Sequence, residues 1–149
     1  MGMRTVAISH NDDKKDLAEK LGAHHFINTG NSDGAKELQK LGGAKLILAT
    51  APHSDAISSV VDGLGIDGKL LMVAATGEPI EVSPMQLLMG RKSAAGWPSG
   101  TAMDSEDTLN FSGMTGTTPM IEEYSLDDVN EAFDKMMNNK ARFRVVLKP

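Results

Sequence analysis

The sequence predicts an α/β fold built on a parallel sheet, and three observations carry that prediction. Short aliphatic or β-branched runs alternate with helical stretches three times in the first half of the chain, joined by short loops, which is the signature of βαβ units. Apolar residues make up 40% of the chain while aromatics make up only 4%. That balance implies aliphatic layers with methionine filling gaps, as suits a sheet covered on both faces. The chain has 149 residues, enough for one domain with a real core.

The elements follow in order. Thr5 to Ser9 reads as a strand. Asn11 or Asp12 is expected to cap a helix running to about Leu21, with Leu17, Ala18 and Leu21 as its stripe and Gly22 as its left-handed end. His24 to Asn28 is a second strand, Ser32 to Leu41 a second helix closed by Gly42-Gly43. Ala44 to Thr50 is a third strand and reads as the most buried. Ser54 opens a third helix carrying Ile57, Val60, Val61 and Leu64 at helical spacing. Gly65 to Gly68 turns into a fourth strand, Lys69 to Ala75. Each crossover is expected to be right-handed. Further on come an apolar turn (Met85, Leu87, Leu88, Met89), an extended Ser93 to Gly100, a helix Asp104 to Met114, a strand Ile121 to Ser125, a helix Asp127 to Asn138 and a final strand Phe143 to Leu147. Ser125 to Asp128 reads as a capping box, and Val129, Ala132, Phe133, Met136 and Met137 as a core-facing stripe.

Charge and composition exclude several functions. Lys and Arg number 15 against 20 acids, a net charge of −5, and the only basic pairs are Lys14-Lys15 and Arg91-Lys92, so no nucleic-acid surface is expected. There is no cysteine, hence no disulfide or thiolate metal site. No apolar run reaches membrane-spanning length and the start lacks a signal-peptide pattern, so no membrane partner and a cytoplasmic location are expected.

Five ordered stretches then resemble the zinc-type medium-chain alcohol dehydrogenase family: Ala7 to Ala23, Ile47 to Pro52, Asp67 to Ser93, Gly96 to Thr101 (GWPSGT) and Lys140 to Leu147 (KARFRVVL). The resemblance implies a C-terminal cofactor-binding portion. Its fold would be a truncated doubly wound, Rossmann-like parallel sheet lacking its first strand and the glycine-rich loop after it. Residues 1–100 would be the partial dinucleotide-binding domain, and 101–149 the segment that returns to the catalytic domain. The implied cofactor is NAD or NADP. By resemblance Ser9, His10 and Lys14 lie at the adenosine ribose, and Thr50, Ala51 and Pro52 line the cleft. Val73, Ala74, Ala75, Gly96, Trp97, Pro98 and Ser99 border the nicotinamide, and Arg144 reaches the pyrophosphate. Such placements suit ligands held beyond the carboxyl ends of strands, and a guanidinium fork suits phosphate. Position 9 departs from the acid usual in NAD-preferring relatives. Ser9 with His10 and Lys14 therefore tilts the expectation toward NADP, against which stand the neighbouring Asp12 and Asp13.

The resemblance also implies zinc in the parent family, with its ligands outside this chain. His10, His24, His25 and His53 make no i, i+4 pair, so no zinc site and no catalysis by this chain alone are expected. The strands flanking the lost first strand are expected to close on one another or to accept another chain, making a homo-oligomer or a docked catalytic domain the expected partner. Plainer roles compete: Lys14 and Arg144 as solvated side chains, Trp97 as an interface anchor, Met136 and Met137 as core, and the acids Asp104, Glu106 and Asp107 as a helix start. So do two other functions, a stand-alone non-catalytic nucleotide-binding or oligomerisation module and a zinc-free quinone or enoyl reductase.

Overall fold

The computed structural model describes residues 2–138 and 140–149 and divides into two compact units, the first ending at Ser99 and the second spanning Gly100–Pro149. In the first unit β1 (Val6–Ser9), α1 (Lys15–Lys20), β2 (His25–Asn28), α2 (Gly34–Lys40), β3 (Ala44–Ala49), α3 (Ser54–Ser59), β4 (Leu64–Met72), α4 (Pro84–Leu88) and β5 (Ser93–Gly96) follow in turn. Strand and helix alternate as predicted, and all pairings are parallel. β1 pairs with β2, and β3, β4 and β5 form a separate sheet in that order. The expected truncated doubly wound architecture is present.

One apolar cluster joins the two sheets: Ile27 of β2, Leu38 of α2, Ile47 and Ala49 of β3, Ile57, Val60 and Val61, and Leu64 and Leu70 of β4. Ile57, Val60, Val61 and Leu64 are all buried as predicted, but not on one helix. The helix ends at Ser59, a 3-10 turn spans Val61–Gly63, and Leu64 already belongs to β4. Glycines at 63, 65 and 68 break the helical repeat and let the chain turn inward.

The expectation that β1 and β3 close on one another is corrected. Among the described residues β1 pairs only with β2 and β3 only with β4, so the parallel ladder is interrupted between them. The reading of β3 as the most buried strand is corrected with it. Ile47 and Ala49 face the core, but Leu46 and Leu48, pointing the other way, are 46% and 53% exposed. A parallel strand reads as uniformly apolar because it expects cover on both faces; in this unit the second face is open.

Helix ends also differ in detail. α1 begins only at Lys15, because Asn11 spends its side chain on Asp13 rather than on a helix. α2 is capped by Asp33, whose carboxylate accepts the Lys36 N–H at 3.1 Å and lies 3.1 Å from the Lys36 ammonium. Both hold its carboxyl below the usual range, the backbone bond most strongly. Asp33→Ala is expected to destabilise the chain by about 1 kcal/mol in urea unfolding, with Asp33→Ser recovering most of it.

The second unit holds α5 (Ala102–Thr115), β6 (Ile121–Ser125), α6 (Val129–Met137) and β7 (Arg144–Lys148), with β6 and β7 parallel. α5 starts before the predicted Asp104, because Thr101 and Asp104 form a reciprocal capping box, and Gly116 closes the helix in the left-handed region. The Ser125 hydroxyl accepts the Asp127 N–H, not that of Asp128, so the predicted capping box is a turn leading into a 3-10 segment. Ala132 is buried, but Phe133, Met136 and Met137 are exposed. The reading of those methionines as core is corrected.

A charged group ties this unit together. The Glu122 carboxylate pairs with the Lys135 ammonium and accepts the Arg142 N–H at 2.6 Å, while Lys135 also donates to the Tyr124 hydroxyl at 3.0 Å. The hydrogen bond from Lys135, and after it that from Arg142, hold Glu122 below its ordinary value of 4.5. A carboxyl depressed on folding contributes stability above its unfolded value and loses it as pH falls through the lower, folded value. Acid titration by circular dichroism is therefore expected to show stability falling below about pH 4.5, with Glu122→Gln flattening that limb.

Candidate functional site

The ends of the strands place the predicted residues. Thr50, Ala51 and Pro52 leave β3 as an exposed turn into α3. Val73 and Ala74 prolong β4 alongside β3, both donating N–H to the Ala49 carbonyl at 3.1 and 3.3 Å. Gly96 ends β5, and the Trp97 N–H reaches the Met72 carbonyl at 2.9 Å, carrying the ladder one step further before Pro98 and Ser99. Thr50–Pro52, Val73–Ala75 and Gly96–Ser99 thus stand side by side at the carboxyl edge of three adjacent parallel strands. Trp97 is 58% exposed there.

Ser9 is the last residue of β1 and pairs in register with Asn28. Its carbonyl accepts the Thr29 N–H at 2.8 Å and the Thr29 hydroxyl at 3.3 Å. His10 and Lys14 follow, both exposed, and the His10 carbonyl lies directly against Gly30, where any side chain would collide with it. Arg144 opens β7 in the second unit, exposed, its N–H on the Met120 carbonyl at 3.2 Å.

Two hollows escape the sequence reading. One, of about 190 Å³, lies between the turn after β3 and the loop after β4 and is lined by Pro52, His53, Asp55, Thr76 and Glu78. A signal for it exists in the sequence, since these residues follow directly on the predicted strand ends. The other, of about 390 Å³, lies beside β2 and is lined by Asp12, Lys15, Phe26, Asn28, Ser32 and Glu37 among others.

A hydroxyl, an imidazole and an ammonium (Ser9, His10, Lys14) suit a ribose or phosphate, and the exposed Val73, Trp97 and Pro98 offer an apolar wall to a flat ring. A phosphate loop is another matter. The spacing Gly-x-Gly-x-x-Gly does occur, at Gly63, Gly65 and Gly68, but it runs from a 3-10 turn into β4 rather than from a strand into a helix. These glycines serve packing: a Cβ at Gly63 would stand 2.5 Å from Leu38 Cδ1, and one at Gly68 2.7 Å from the Ala44 carbonyl oxygen. Among the described residues no three His, Asp or Glu side chains gather as a metal ion requires, and no helix is long and apolar enough to cross a membrane.

The chain is similar to known proteins over nearly its whole length. The chain is 47% identical over 146 residues to the alcohol dehydrogenase patD of Penicillium expansum, covering 98% of this chain and 43% of that protein. It is 33% identical to the probable formaldehyde dehydrogenase AdhA of Bacillus subtilis, covering 99% of this chain and 42% of that one. Among solved structures, a cinnamyl alcohol dehydrogenase from Sorghum bicolor superposes with a TM-score of 0.82 at 29% identity, over 98% of this chain and 41% of the other. The chain thus spans about two fifths of the length of the relatives it matches. The family model described as zinc-binding dehydrogenase matches residues 1–113, and the chain belongs to that family.

Proposed function

We propose that this chain is the nicotinamide-dinucleotide-binding portion of a zinc-type alcohol dehydrogenase, whose whole protein moves hydride between an alcohol or aldehyde and NAD(P), and that alone it turns over no substrate. The observation that carries this reading is the alignment of Thr50–Pro52, Val73–Ala75 and Gly96–Ser99 at the carboxyl ends of adjacent parallel strands, where doubly wound folds take their ligands. The nicotinamide ring, when bound, supplies the hydride acceptor. Around it Val73 to Ala75 and Gly96 to Ser99 exclude water and fix the ring's face. Ser9, His10 and Lys14 hold the adenosine ribose, with NADP favoured over NAD because position 9 lacks an acid. Zinc belongs to the rest of the enzyme, which is this chain's natural partner, in the cytoplasm.

Titration with NADPH and NADH, followed by nicotinamide emission and Trp97 quenching, tests the cofactor role. Saturable binding supports it; no binding of either at millimolar concentration overturns it. Alcohol oxidation by the isolated chain with added zinc would overturn the claim of inactivity.

The edges of β1 and β3, which meet no further strand among the described residues, favour a second reading, an assembly module that takes a strand or a second copy there. Sedimentation across a concentration series tests it: a monomer throughout counts against self-association.

A further inference from the structure

We propose that Asn28 sets the nucleotide preference of this chain by holding the Asp12 carboxylate over the end of β2, away from the end of β1 where the adenosine ribose binds. This rests on the cofactor reading above. In sequence, Asp12 and Asp13 follow Ser9 so closely that either is placed to replace the missing acid, accept the ribose 2′-hydroxyl and repel a 2′-phosphate. The side-chain contacts assign them elsewhere.

Asp12 Oδ2 accepts a hydrogen bond from Asn28 Nδ2 at 2.9 Å. The amide cannot turn over without loss, because its Oδ1 accepts the Gly30 N–H at 2.8 Å, which leaves Nδ2 as the group facing Asp12. The backbone on both sides is fixed as well: the Lys15 N–H is 2.9 Å from the Asp12 carbonyl, and the Ser32 hydroxyl donates to the Asn28 carbonyl at 2.5 Å. Asn28 is the register partner of Ser9, so the residue that holds the carboxylate stands on the neighbouring strand, about one strand spacing, roughly 4.8 Å, from the Ser9 backbone. It lines the hollow beside β2 together with Lys15, Phe26 and Glu37, and Ser9, His10 and Lys14 take no part in that lining. Asp13 is engaged by Asn11 Nδ2 at 2.9 Å. Beside Asp13, which Asn11 holds, the end of β1 presents a hydroxyl, an imidazole and an ammonium. Preference between two dinucleotides that differ by one phosphate is a difference of affinities, and a carboxylate kept out of the site removes both the acceptor that rewards NADH and the charge that penalises NADPH.

The test is a double-mutant cycle on the full chain, reading the ratio of NADPH to NADH dissociation constants by nicotinamide fluorescence, with a thermal melt of each variant. Asn28→Ala releases the carboxylate and is expected to shift the ratio about tenfold toward NADH. Asp12→Asn in the Asn28→Ala background should cancel that shift, and Asp12→Asn alone should change the ratio less than about threefold. A folded Asn28→Ala with an unchanged ratio overturns the inference. So does Asp12→Asn alone raising NADPH preference about tenfold, since the carboxylate would then already face the ribose. If Asn28→Ala fails to fold, that single Asp12→Asn measurement decides. Wild type binding neither dinucleotide overturns the cofactor reading and this inference together, whereas binding with ratios indifferent to both substitutions removes only the inference.

Discussion

Gly43→Ala is expected to destabilise the chain by about 3 kcal/mol, the sum of a left-handed backbone and a forced displacement of neighbouring main chain. Gly43 has φ of +79°, a region that costs an L side chain on the order of 1–2 kcal/mol. A Cβ there would also stand 2.6 Å from Gly65 Cα and 2.8 Å from Gly65 N. Those atoms are backbone at the start of β4, so no side chain can swing aside to make room. The loop before β3 and the start of β4 are pressed together because the pairing Ala44 with Leu64 is followed by Leu46 with Lys69, an irregularity that loops extra β4 residues out of the ladder. The measurement is urea unfolding of the variant beside Gly42→Ala. Gly42 has a similar φ, +98°, but open space around its Cβ position, so it isolates the backbone contribution. Equal losses in the two variants would show that the contact with Gly65 contributes nothing.

The legible part of this fold is what local chemistry decides. Alternating strands and helices, the order of elements and the strand ends that form the candidate site all follow from aliphatic runs broken by glycine, serine and aspartate. The stripe Ile57, Val60, Val61, Leu64 is core as its pattern says, yet its helical spacing misleads about geometry, since Leu64 reaches the core from a strand. Burial of Leu46 and Leu48 is misjudged for a different reason. Their sequence is that of a strand covered on both faces, and nothing local records that one face is open. Met136 and Met137 repeat the lesson on a helix, where an apolar stripe says which side seeks cover without saying that cover is present. The Asp12–Asn28 bond is illegible because its partners lie 16 residues apart, and both residue types read equally well as turn formers. Its consequence, a carboxylate tied to the end of β2, exists only once β1 and β2 are paired.

Leu70→Ala is expected to cost about 3–4 kcal/mol, in the middle of the range for truncating a buried leucine. Leu70 has no solvent exposure and lies on β4, the middle strand of its sheet, paired in register with Ile47 on one side and Ala94 on the other. Its side chain belongs to the single cluster that also holds Ile27 of the β1–β2 sheet and Val60, Val61 and Leu64 of the turn into β4. The two sheets share no hydrogen bonds in the described ladder, so this cluster is what couples them. Little can collapse into the space left by Leu70, because Ile47 is fixed by its ladder and Leu64 and Val61 are themselves fully buried. The cost should therefore include most of the cavity contribution and not only the lost transfer free energy. Leu71→Ala is the internal control: the adjacent side chain points to the open face beside Leu48, and its truncation should cost less than half as much. Chemical denaturation monitored by circular dichroism gives both values. If Leu71→Ala proves as damaging as Leu70→Ala, the face carrying Leu46 and Leu48 is covered in solution, which favours a partner docked on this unit over a sheet left open on one side.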